Sequence, residues 1–187
     1  MSQLIIGLTG EIASGKEVVK KYLIEHYAAS SHHFSASLRD VLKRLTLPTT
    51  RENLQSLSTS LRQSFGEDLL AKVIAEEVKL NQSPLIVVDG IRREADLVYL
   101  KQLPNFVLVG VETDLNIRYE RLKQRQENAD DFGKSYEDFL ADSQQETERE
   151  IAQLISTAPN RLNNNGSLAD LYSQIDELMN KLKSSYV

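Results

Sequence analysis

Short unbroken apolar runs alternate along this chain with stretches whose apolar positions recur at helical spacing. Leu4, Ile5 and Ile6, leading through Gly7, Leu8 and Thr9 to Gly10, read as a buried strand that ends in a glycine turn. From Gly15 onward Val18, Val19, Tyr22, Leu23 and Tyr27 share one helical stripe, with Lys20, Lys21 and Glu25 opposite. A weak second strand is expected at His33-Phe34, then a helix through Leu38, Val41, Leu42 and Leu45 that stops before Leu47-Pro48. Residues 51–65 and 67–80 have helical patterns, and Gly66 between them is a break or C-cap. Leu85, Ile86, Val87 and Val88 form a continuous apolar run ending on Asp89-Gly90, the pattern of a parallel strand covered on both faces. Beyond it the pattern predicts a helix over 92–103, a strand over 106–111, a basic helix over 116–125 and a polar stretch through Gly133. A long helix from Ser135 to about Ser156 follows, then a short strand within 161–165. Ser167 caps a final helix whose Leu168, Leu171, Ile175 and Leu178 face the core.

Strands alternating with helices argue for an α/β fold: a parallel sheet wrapped on both faces, with right-handed crossovers. Ligands of such sheets bind at the carboxyl ends of the strands. The glycine turn after the first strand and Asp89 after the apolar run both fall at such ends.

Composition narrows the chemistry. The 187 residues, 41% hydrophobic and 26% charged, suit one globular domain, and no apolar run approaches a membrane span. A cytoplasmic location is the expectation. The absence of cysteine excludes disulfides and thiolate metal sites, so catalysis must use oxygen and nitrogen groups. A net charge of −5, from 22 basic and 27 acidic residues, provides no general field for nucleic acid or anionic lipid, and no direct nucleic-acid or membrane partner is expected. An anionic ligand must be held by a local cluster.

Gly10-Glu11-Ile12-Ala13-Ser14-Gly15-Lys16 supplies that cluster. It is G-x-x-x-x-G-K, directly after a strand and opening a helix, the context of a P-loop. Backbone N–H groups can surround a polyphosphate only where Gly permits close approach, and Lys16 adds a mobile point charge. Glu17 stands where a Ser or Thr hydroxyl normally holds Mg²⁺. A carboxylate there can ligate Mg²⁺ directly or through water, or point away as a surface residue; without the metal it would repel phosphate. Asp89 ends its strand as a Walker B carboxylate would, beside the same metal. Arg39, Arg62 and Arg92 recur where a second phosphate would be gripped, because planar guanidinium forks suit bidentate phosphate contact. Arg118, Arg121 and Arg125, at i, i+3 and i+7, point three cations one way and precede a polar segment, 126–134, that forms a candidate lid. His32-His33 reads as packing and strand end.

These segments resemble the P-loop nucleoside monophosphate kinase superfamily, most closely the adenylate kinase-like ATPase family of archaea and some bacteria and more distantly dephospho-coenzyme A kinase. The resemblance covers nearly the whole chain and rests on LIIGLTGEIASGK, FSASLRDVLKR, LRQSFGEDLLAK, IVVDGIRREAD, RYERLKQR and NNNGSLADLY. It implies a three-layer α/β/α P-loop fold with a five-stranded parallel sheet, in which core segments 1–34, 81–125 and 135–187 carry a helical monophosphate-binding region at about 35–80 and a short lid at 126–134. It also implies that Arg39 and Arg62 grip the acceptor phosphate, that Arg118, Arg121 and Arg125 serve the lid, and that Asn164-Asn165-Gly166 lies against the adenine of ATP. The expected activity is Mg²⁺-dependent transfer of a phosphoryl group from ATP to a small phosphorylated acceptor, most simply a nucleoside or deoxynucleoside monophosphate. Dephospho-coenzyme A kinase-like activity and a slow nucleotide-hydrolysing switch acting on a protein or ribonucleoprotein partner are the alternatives. The sequence leaves monomer or homodimer open.

Overall fold

A computed structural model describes residues 3–125 and 135–186 of the chain. Five strands form one sheet in the order β2-β3-β1-β4-β5, and every neighbouring pair is parallel. They are β1 (Leu4–Thr9), β2 (Ser30–His33), β3 (Leu85–Ile91), β4 (Phe106–Glu112) and β5 (Asn160–Asn163). β1 is central, buried at all six residues, with Leu4 opposite Leu85 on one side and Ile5 opposite Phe106 on the other. Its continuous apolar run is what a strand covered on both faces requires.

The period of two divides the strand residues between two cores. Ile5, Ile86, Val88 and Leu108 face α2 (Phe34–Arg44), α4 (Leu69–Leu80) and α7 (Glu146–Thr157), packing against Leu38, Ile74, Val78, Leu154 and Ala158. Leu4, Ile6, Leu8, Val87, Val107 and Val109 face α1 (Lys16–Tyr27) and α8 (Leu168–Tyr186), packing against Val19, Leu23, Leu171, Ile175 and Met179. A smaller cluster of Ala13, Leu122 and Phe139 lies under the first loop, between α5 (Leu115–Arg125) and α6 (Tyr136–Ser143). α3 (Arg51–Phe65) completes the helical region between β2 and β3. No described helix is long and apolar enough to cross a membrane.

Four sequence expectations need correcting. Residues 92–103 form two short 3-10 turns, Glu94–Leu97 and Leu100–Gln102, instead of an α-helix. Buried Asp96 accepts the backbone N–H groups of Arg92 and Arg93, both at 3.0 Å, and Leu97, Leu100 and Leu103 recur every three residues, the 3-10 repeat. The long helix of 135–156 is broken at Gln144-Gln145 into α6 and α7. Phe139 belongs to the cluster under the loop and Leu154 to the core facing the sheet; fifteen residues apart, they would be about a sixth of a turn out of phase on one straight helix. The second strand ends at His33, because His33 Nδ1 accepts the Ser35 N–H at 2.9 Å and caps α2, making Phe34 the first helical residue. In α8, Leu168 is 54% exposed, and Leu171, Ile175, Met179 and Leu182 form the buried stripe, with Leu178 at its edge.

Candidate active site

The carboxyl ends of β1, β3, β4 and β5 meet at the loop of residues 10–15. Ala13 and Gly15 both adopt left-handed backbone, φ 60° and φ 93°. Only Gly15 does so freely, and a Cβ there would stand 2.1 Å from Asn164 Nδ2. The loop's carbonyls are held from outside: Ser14 O accepts from Asn164 Nδ2 at 2.8 Å and from Thr113 Oγ1 at 2.9 Å, and Ile12 O from Arg118 Nη1 at 3.4 Å. In a planar trans peptide the N–H points opposite the carbonyl, so fixing Ile12 and Ser14 carbonyls outward turns the Ala13 and Gly15 N–H groups inward. Together with the N-terminus of α1 they make an anion cradle. The Lys16 ammonium donates to the carbonyls of Gly10 and of Glu11, the latter at 3.0 Å. Ser14 Oγ lies inside the turn, 2.6 Å from where a Cβ on Gly10 would be, and is buried without a hydrogen-bond partner.

Arg118 and Arg121 have separate tasks. Arg118 is 3% exposed, donating from Nη2 to Glu11 Oε1 at 2.8 Å and from Nε to Thr113 O at 3.2 Å. It is built into the floor of the loop and so cannot swing with a lid. Burial pushes the Glu11 carboxyl up, Arg118 works against that, and neighbouring Glu148 adds to it. Arg121 donates from Nη2 to Asn164 O at 2.9 Å, while its Nη1 is buried without a partner beside Gly15. The side chain of Arg125 and the expected lid of 126–134 lie outside the described residues.

Asn164 is 2% exposed, so it is a strut between Arg121 and the loop and presents no surface to a base, contrary to expectation. Asn165 is paired with Asp114 through Oδ1 to the backbone N–H, 2.8 Å, and Nδ2 to Oδ1, 3.1 Å. Beside them a cleft of about 360 Å³ is lined by Glu11, Glu112, Thr113, Asp114, Asn163, Asn165 and the Ala152 to Ser156 face of α7.

On the other side of the loop, Asp89 is 5% exposed at the end of β3. Lys20 Nζ lies 2.6 Å from Glu17 Oε2 and 3.3 Å from Asp89 Oδ2, so one cation gathers both expected metal ligands. Burial alone would depress this ammonium, but the hydrogen bonds and charges of Glu17 and Asp89 outweigh it and hold its pKa above the ordinary lysine value. A pair of carboxylates already converging on a cation is a donor set that suits Mg²⁺.

His33 stands above Gly90, whose φ of 91° leaves no Cβ; one placed there would meet the imidazole at 3.2 Å. Its Nδ1 is engaged in capping α2, and its Nε2 is 3.9 Å from Asp89 Oδ2. Burial lowers its pKa, and the charges of Lys20, Arg92 and Arg39 push the same way against Asp89. Lys20, Arg92 and Arg39 thus all contribute positive charge at His33, beside the ends of β2 and β3. Arg39 is exposed, with Nε 3.4 Å from Ser35 Oγ, and Arg92 is exposed after β3. Arg62 on α3 is half-buried, and its Nε has no partner. Burial lowers its pKa, as do the charges of Arg93 and Arg92, with Asp96 and Glu67 opposing. Arg93, in contrast, is paired with Glu67 at 2.8 Å and Asp96 at 3.1 Å.

Sequence reasoning missed Lys20, Thr113 and the capping role of His33. The (i, i+3) spacing of Glu17 and Lys20 on α1 was the available signal for the first. Nothing local marks Thr113, because the loop carbonyl it holds is 99 residues away, and the His33 cap reaches only to Ser35, two residues on, but His is not among the usual capping residues.

A P-loop at the end of a central strand, an acidic strand end beside it and a parallel sheet in the order β2-β3-β1-β4-β5 define a P-loop kinase-like α/β protein. The chain belongs to the UPF0200 family: it is 31% identical over 180 residues to a UPF0200 protein of Methanoregula boonei, covering 96% of this chain and 97% of that one. Residues 6–150 match the family model described as an AAA domain. Among solved structures, shikimate kinase from Bacteroides thetaiotaomicron superposes with a TM-score of 0.61 at 14% identity, over 96% of this chain and 98% of that one. A gluconokinase from Sinorhizobium meliloti gives a TM-score of 0.56 at 13% identity, over 99% and 98%. At these identities the likeness is one of fold.

Proposed function

We propose that the chain is a kinase that moves the terminal phosphoryl group of ATP to a small phosphorylated acceptor, with nucleoside and deoxynucleoside monophosphates as the acceptor class. The observation that carries this reading is the half-buried Arg62, whose Nε has no hydrogen-bond partner while the neighbouring carboxylates Glu67 and Asp96 are taken up by Arg93. A buried guanidinium N–H left without an acceptor is unfavourable unless a ligand completes the site. This second anion site lies apart from the P-loop, on the helical region after β2, and a planar guanidinium there suits a phosphate held through two oxygens.

The other parts take roles that phosphoryl transfer needs. The inward N–H groups of the loop, Ser14 Oγ, Lys16 and the unpartnered Nη1 of Arg121 surround the donor phosphates and neutralise charge that develops on the transferring group. The acidic cleft between β4 and β5 repels phosphate but accepts hydrogen bonds from ribose hydroxyls and an exocyclic amine, so it suits the nucleoside end of the donor. Glu17 and Asp89 would hold Mg²⁺, which would supply charge neutralisation at the donor phosphates. Arg39 and Arg92, exposed on the open side, complete the acceptor clamp together with Arg62. Shikimate kinase and gluconokinase, named for phosphorylating small molecules, support phosphoryl transfer on this sheet, and the phosphorylated acceptor class rests on Arg62.

Arg62→Ala separates acceptor from donor. Loss of a charge-assisted contact of about 1.5–3 kcal/mol raises the acceptor KM by about 10–100-fold, while ATP hydrolysis without acceptor is unchanged. Initial rates over a matrix of both substrates read the two effects separately. An unchanged acceptor KM would remove Arg62 from the acceptor site.

A further inference from the structure

The metal-ligand reading of Glu17 and Asp89 leaves Lys20 to be explained. It lies one turn beyond Glu17 on α1, and its side chain is only 17% exposed. Its ammonium lies between the Glu17 carboxylate on the helix, an exposed side chain, and the Asp89 carboxylate at the end of β3, a buried one. A long flexible amine gives up rotamer freedom and hydration to take such a position, so the field of the two carboxylates must hold it there.

We propose that Lys20 is a built-in cation at the divalent-metal position, which keeps the nucleotide-free protein from taking up the free ion and makes the metal enter with the nucleotide. The proposal rests on Glu17 and Asp89 being the metal ligands. Two carboxylates alone present a charge of about −2 to a divalent ion; with the ammonium between them that falls to about −1, and a second cation at the same place meets direct repulsion. A polyphosphate in the cradle restores the missing negative charge. The four-carbon stem of Lys20 then lets its ammonium move aside while Glu17 and Asp89 turn to the metal. The unusual Glu at the P-loop's eighth position is thereby kept from repelling phosphate before the metal arrives.

Titration of Mn²⁺ into the nucleotide-free protein, followed by the electron paramagnetic resonance of the free ion, tests this without any transfer reaction. Lys20→Met binds Mn²⁺ at least about tenfold tighter than wild type, Lys20→Arg stays as weak as wild type, and adding Glu17→Gln to Lys20→Met removes the gain. Wild-type protein that binds Mn²⁺ as tightly as Lys20→Met, or a gain that survives Glu17→Gln, would overturn the proposal. The Mn²⁺-induced rise in melting temperature gives a second readout: larger in Lys20→Met than in wild type supports it, and equal rises count against it. Failure of the kinase reading would appear as absent phosphorylated product and would leave these metal affinities unaffected.

Discussion

Lys16→Ala lowers turnover by about 10²–10³-fold and leaves the fold in place. The Lys16 ammonium donates to the Gly10 and Glu11 carbonyls of its own loop, and the residue is half-buried at the first position of α1. Its loss therefore removes charge at the cradle with little loss of packing, and the melting temperature shifts by about 2 °C or less. The rate falls much more. Removing one preorganised electrostatic donor from a site where charge develops costs about 10²–10³-fold in kcat, and a P-loop lysine faces the phosphates that carry that charge. Circular dichroism melts beside steady-state rates check both halves. Undiminished turnover in a folded variant would take the loop out of the mechanism.

Arg118→Ala damages stability and nucleotide binding together. The residue is 3% exposed and ties three places to one another: the Glu11 carboxylate, the Ile12 carbonyl and the Thr113 carbonyl. Removing it strands Glu11, whose carboxyl burial already pushes up, and frees a carbonyl whose outward position turns the Ala13 N–H toward the phosphates. Its guanidinium also stands 5.7 Å from the ring centre of Phe139, in the cluster that supports the loop from below. Breaking a buried pair from one side costs about 3–5 kcal/mol, a large fraction of the stability of a domain this size. Urea unfolding and titration with a fluorescent ATP analogue are both expected to register the loss. A variant with wild-type stability and weakened turnover alone would instead place Arg118 at the reacting phosphates.

The contrast between Arg118 and Arg121 shows where the sequence was legible and where it was not. Helical spacing correctly placed both on α5, but three residues correspond to about 300°, and that offset turns one guanidinium into the loop's floor and the other toward Asn164 and Gly15. What each cation meets depends on Glu11 and Asn164, residues far away in the chain. The glycine loop and the apolar strands β1, β3 and β4 were readable because their signals are local: a motif of seven residues and runs of β-branched and aliphatic side chains. The 92–103 segment was not, since apolar residues three apart suit an α-helix and a 3-10 helix alike, and the two N–H groups captured by Asp96 that favour the 3-10 turn are visible only in the fold. The break at Gln144-Gln145 carries no Gly or Pro, so nothing in its own residues announces that α6 and α7 bury different faces. The resemblance placed Asn164 against a base; its burial, and the Ser14 carbonyl it holds, emerge only once β5 is paired with β4.

ADP release from ATP and Mg²⁺, measured with and without a panel of ribo- and deoxynucleoside monophosphates and dephospho-coenzyme A, with products identified by mass, tests the kinase reading most directly. The expected result is stimulation by one acceptor and a product heavier by one phosphoryl group. Slow ADP release that no acceptor changes would contradict it and would point to a nucleotide-dependent switch.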